Sequence, residues 1–123
     1  MNAPQLLKRA AHSLGLHRIR TRPCDARVRV EHDGVVLAES ERAVRLDETG
    51  APPRYYIPRE DVRIDLLTPS TKTTHCPFKG DAKYWSAPGA RDAFWSYEEP
   101  SEPDAQPIAG MLAPSGRLIL HVG

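Results

Sequence analysis

The sequence predicts a mainly β domain, on three observations. From His17 onward apolar residues recur with period two, as in "RVRVEHDGVVLAES", where Val28 and Val30 alternate with Arg27 and Arg29. Asp33-Gly34, two residues that tolerate positive φ, sits between two such runs and marks a β-hairpin. Twelve prolines and eight glycines cut the remainder into short segments, the pattern of a sandwich, a barrel or a pair of sheets.

In chain order the first candidate is a helix. Leu6, Leu7, Ala10, Ala11 and Leu14 have helix-like spacing between Pro4 and Gly15. Residues 1–16 therefore read as a short amphipathic helix or a leader, and residues 17–123 as a single β domain. After the hairpin, "AVRLDETG" forms a strand ending at Gly50, and "PPRYYIP" an extended segment that its prolines confine to an edge or a strand end. Pro58 followed by Glu60 and Asp61 suits one helical turn over Pro58 to Val62, because proline fits a helix start and carboxylates its positive end. "VRIDLL" alternates Val62, Ile64 and Leu66 with Arg63 and Asp65, as in a half-buried strand. "KTTHC", "AKYWS" and "AFWSY" supply further strands. Beyond the proline- and acid-rich loop "EEPSEPDAQP" the chain resumes with "IAGML", turns at "APSG" and ends on "RLILHV".

Composition excludes several function classes. Lys and Arg number 17 against 16 Asp and Glu, a net charge of +1, with the signs interspersed, so no basic face is marked out for a nucleic-acid backbone. The longest apolar runs are too short to span a bilayer, and the N-terminal stretch lacks the pattern of a signal peptide. A cytoplasmic protein with neither a nucleic-acid nor a membrane partner is expected. Cys24 and Cys76 lie far apart and read as reduced thiols. The five histidines show no metal-ligand spacing, so neither a metal nor a cofactor is expected. No serine lies in a G-x-S-x-G elbow.

"PPRYYIPREDVRIDL", "THCPFKG", "FWSYEEP" and "PIAG", in that order, closely resemble a mostly bacterial family known as domain of unknown function 427, from about His17 to the C-terminus. The resemblance implies a small β domain of two antiparallel sheets meeting at an angle, the β-tent arrangement shared with the Mss-four-like proteins. Members are sometimes labelled nucleotidyltransferase-like. Relatives of the tent architecture that hold zinc use paired C-x-x-C knuckles, which this chain lacks. Its loop "SAPGARDA" and its final strand pair are also shorter than is usual for the family.

The chemistry concentrates in three of these motifs. In "CPFKG", Pro77 fixes φ within a turn and Gly80 closes it. Lys79 then sits at the turn tip, either solvated or receiving a phosphate or carboxylate. His75 and Cys76 are neighbours on a strand and point to opposite faces, so Cys76 reads as a pocket-edge or buried thiol rather than a nucleophile. Trp95 and Tyr97 share one strand face and Phe94 and Ser96 the other. Either the former pair is core, or it forms an aromatic platform beside Tyr55 or Tyr56, with Arg54 adding a charge or pairing with a surface carboxylate. Arg59, Glu60 and Asp61 read as a solvated turn rather than a metal cluster. The resulting expectation is a small-molecule pocket built from Arg54, Tyr55, Tyr56, Cys76, Lys79, Trp95 and Tyr97. The alternatives are nucleotidyl or other group transfer and a protein-interaction module, and the sequence specifies no oligomeric state.

Overall fold

A computed structural model describes residues 3, 5–7 and 17–123. Residue 3 and Gln5–Leu7 are helical, and the rest of the expected N-terminal helix lies outside the described residues. No helix among the described residues is long and apolar enough to cross a membrane.

The mainly β expectation holds. Among the described residues ten strands follow: β1 Ile19–Pro23, β2 Val28–His32, β3 Val35–Ser40, β4 Val44–Glu48, β5 Arg54–Tyr56, β6 Thr68–Cys76, β7 Gly80–Ala87, β8 Ala90–Tyr97, β9 Leu112–Pro114 and β10 Ile119–Val122. They sort into three antiparallel sheets, one more than the pair expected, with orders β1-β4-β5, β10-β2-β3 and β6-β7-β8-β9. The β2–β3 hairpin turns at Asp33 and Gly34, both at positive φ (50° and 78°), as that dipeptide requires.

Strands β7, β8 and β9 of the four-stranded sheet contribute to a core on each face, while the edge strand β6 is largely exposed. Phe94 and Trp85, paired across β8 and β7, face a core that includes Val28, Val30 and Leu37 of the β2–β3 hairpin. Ala82 and Tyr97, also paired, face a second core with Ile19, Leu46 and Tyr56 of the β1-β4-β5 sheet. Phe94 and Tyr97 are thus both core residues, in different cores. Reciprocal backbone hydrogen bonds between Ile57 and Leu112 (2.8 and 2.9 Å) tie the end of β5 to β9. Tyr56 is thereby held against the same face as Trp95.

The helical turn at Pro58 is present as a 3₁₀ helix over Arg59–Asp61. It is not merely solvated. Arg59 donates to Glu98 (2.7 Å) and to the Gly110 carbonyl (3.2 Å) and lies 5.2 Å over the Trp85 ring. Asp61 accepts from Ser40 (2.7 Å) and Arg42 (3.0 Å), which hold its carboxyl below the usual carboxylate range. "VRIDLL" departs from expectation: Ile64–Leu66 is a second 3₁₀ helix, not a strand. Val62 bridges Ala38 and Arg63 N–H bonds the Leu37 carbonyl, so β-pairing stops there. The chain then coils, while Ile64, Leu66 and Leu67 still pack on the first core. The acid-rich loop likewise contains a 3₁₀ helix, Pro103–Ile108, whose Ala105 and Ile108 are buried, so the strand expected around "IAGML" begins only at Leu112.

Candidate functional site

Strand alternation decides which motif residues meet. In β5, Arg54 and Tyr56 face one way and Tyr55 the other. Tyr55 packs on the first core, away from its two neighbours. In β8, Trp95 and Tyr97 face the second core. Where that core reaches the surface it opens into a cavity of about 310 Å³. Arg54, Tyr56, Lys79, Trp95 and Tyr97 line it, joined by Tyr84 on the aromatic side and by Leu46, Glu48 and the Ala51-Pro52 turn on the other.

The walls are cross-linked by polar contacts. Trp95 Nε1–H donates to the Tyr56 hydroxyl (3.1 Å), and the two rings meet edge to face at 6.4 Å. The Arg54 guanidinium lies 5.5 Å over the Trp95 ring. The Tyr84 hydroxyl and Thr74 Oγ1 lie 3.0 Å apart. Burial pushes the Tyr56 hydroxyl up to about 12, and burial pushes Tyr97 up as well. Both hydroxyls stay protonated at neutral pH.

Lys79 is not at a solvated turn tip. Phe78 packs into the second core and draws the turn inward, leaving Lys79 only 9% exposed. Its Nζ donates to Glu48 Oε1 at 2.6 Å and lies 5.6 Å from the Tyr97 ring centre. The other Glu48 oxygen is 2.9 Å from His17 Nε2, and His17 stacks on Phe78 at 4.5 Å. His17, Glu48 and Lys79 thus form a buried row, a carboxylate bridging a lysine and an imidazole, of which Glu48 and Lys79 line the cavity and His17 lies behind them. Gly80 permits this turn twice over. Its φ is +93°, and a Cβ there would come within 2.9 Å of the Glu99 carbonyl oxygen.

Cys76 does not line the cavity; it packs half-buried against the second core. His75 turns outward to Asp81 (2.8 Å), so the two neighbours do point to opposite faces. Among the described residues no three His, Cys, Asp or Glu side chains come close enough together to hold a metal ion.

A family model described as Domain of unknown function (DUF427) matches residues 20–117. The chain belongs to this family. No curated protein matches it in sequence. The matched span takes in every cavity-lining residue of this DUF427 chain, and only His17, at the end of the buried row, falls outside it.

Glu48 and His17 carried no motif, yet a signal for both was present. Val44, Leu46 and Glu48 share one face of β4, and His17 shares the parity of Ile19. Each polar residue extends a run of inward positions, the pattern of a buried charge that needs a partner. A larger concavity of about 600 Å³ lies beside Arg18, Arg20 and Asp104. It has no tyrosine or tryptophan in its walls and lacks the aromatic lining that favours small ligands.

Proposed function

We propose that this DUF427 domain binds a small molecule in the cavity between β5, β8 and the Cys76–Gly80 turn. One observation carries the reading: side chains from "RYYIP", "CPFKG" and "FWSY", far apart in sequence, converge on one concave, ring-walled space. In this reading the protein works in the cytoplasm, as a β-tent-like domain of Mss-four-like architecture. Cys76 supports the turn and takes no part in covalent chemistry.

The test is thermal stabilisation of the purified chain by a panel of small metabolites. A ligand present at a hundred times its Kd adds about 2.7 kcal/mol. Trp95→Ala should abolish the stabilisation and Cys76→Ser should retain it. Stabilisation untouched by Trp95→Ala would refute the site. Magnesium-dependent release of pyrophosphate from a nucleoside triphosphate, lost in Lys79→Met, would replace binding with group transfer.

A second reading, a protein-interaction module, draws support from the exposed apolar side chains of the β10-β2-β3 sheet. Ile119, Leu120 and Val122 lie on β10, an edge strand, and Val35 and Val36 begin β3. The partner fitting an unpaired edge strand is a second copy adding its own β10. Sedimentation that depends on concentration in the wild type but not in Leu120→Lys would favour it.

A further inference from the structure

The polar groups facing the cavity differ in what they can still bond. The Arg54 side chain makes no ion pair or hydrogen bond among the described residues, although its guanidinium is held over Trp95. Lys79 has three N–H donors and gives one to Glu48. The Tyr56 oxygen already accepts from Trp95, which leaves its O–H proton to give. The Tyr97 hydroxyl has no hydrogen-bond partner among the described residues, and burial keeps it protonated. On the acceptor side, one Glu48 oxygen is taken by Lys79 and the other by His17. The cavity therefore presents two cationic donors and two hydroxyl donors, with its one carboxylate engaged. Such a surface suits a ligand that brings its own acceptors and negative charge.

Size and wall chemistry narrow the class. A cavity of about 310 Å³ lies at the small end of ligand pockets. Around it, Tyr56, Tyr84, Trp95 and Tyr97 supply ring faces and edges for a flat body. We infer that the ligand is a single-ring, planar oxyanion, its carboxylate or phosphate held between Arg54 and Lys79 and its ring set among Tyr56, Trp95 and Tyr97. The inference rests on the small-molecule reading above and adds the sign of the charge and the shape of the body.

Calorimetry on the full chain separates the two. The probes are benzoate, phenyl phosphate, inorganic phosphate, neutral benzamide and cationic benzamidine. Benzoate or phenyl phosphate should bind at least about tenfold tighter than benzamide, the scale of one charge-assisted hydrogen bond. Arg54 is exposed, so Arg54→Gln should fold, and it should erase about tenfold of the anion's affinity, a larger loss than it causes for benzamide. Trp95→Phe should weaken both ring anions, and the better of the two identifies the anionic group. Benzamidine or benzamide binding as tightly as the anions, with Trp95 dependence, would overturn the charge assignment and leave the pocket reading standing. Inorganic phosphate binding as tightly as phenyl phosphate, indifferent to Trp95→Phe, would overturn the ring assignment. No binding of any ring at millimolar concentration would overturn the inference and the pocket reading together.

Discussion

The buried contact between Lys79 and Glu48 should be the costliest single point at which to perturb this protein. Their side chains are 11% and 4% exposed, so water screens the pair little, and 2.6 Å is a charge-assisted hydrogen bond. Glu48→Gln keeps the shape but leaves the ammonium facing a neutral amide. Breaking a buried pair from one side costs about 3–5 kcal/mol, because the remaining charge is stranded. Lys79→Met is milder, since Glu48 keeps its contact with His17 at 2.9 Å; a loss of about 1–3 kcal/mol is expected. Removing both charges in Lys79→Met with Glu48→Leu should recover part of the loss, as apolar replacements of buried pairs often do. Urea unfolding followed by tryptophan fluorescence measures these variants together with the Glu48→Leu single variant, which closes the cycle with Lys79→Met and yields the coupling energy. The expected coupling exceeds about 1.5 kcal/mol, and Glu48→Gln should lower Tm by about 10–20 °C for a domain of this size. Single losses below about 1 kcal/mol with no coupling, the behaviour of a surface pair, would refute the buried row.

Tyr56 gives a pH prediction. Its hydroxyl rises from 10.0 to about 12 in the folded chain, so its contribution is fully present below pH 10 and is lost as pH climbs through 12. Two units correspond to about 3 kcal/mol, and because burial raises Tyr97 too, unfolding free energies measured from pH 9 to 12 should fall by at least that order, less steeply in Tyr56→Phe; an unchanged slope in that variant would contradict the assignment. Gly80→Ala should destabilise by more than about 2 kcal/mol, since it combines a φ of +93° with a Cβ at 2.9 Å from a backbone oxygen. Gly34→Ala, whose Cβ would meet nothing within 4 Å, should cost about 1 kcal/mol from backbone conformation alone. Equal losses in the two variants would mean that the Glu99 carbonyl does not constrain the turn.

What the sequence disclosed and what it withheld divide by distance along the chain. Asp33-Gly34, the alternation in β2 and β4 and the proline before Arg59 act within a few residues, and each formed the structure its local chemistry specifies. "VRIDLL" carried an equally clean alternation and still coiled. Its first residue is taken by Ala38 of β3, and nothing in residues 62–67 reports that pairing. The candidate site shows the same division. Alternation in β8 was enough to set Trp95 and Tyr97 on one face, whereas Tyr55, expected in the pocket beside Arg54 and Tyr56, turns to the other core. The neighbours of Lys79 specify a turn with the lysine at its tip, whereas its burial depends on Glu48, 31 positions earlier, and on Phe78 packing into the second core. Once Glu48 is seen to continue the inward row of Val44 and Leu46, a buried carboxylate on that strand needs a cation from elsewhere in the chain. The "CPFKG" turn supplies it. The lysine that pairs with Glu48 also faces the cavity, so one contact between distant segments both holds the turn inward and charges the floor of the site.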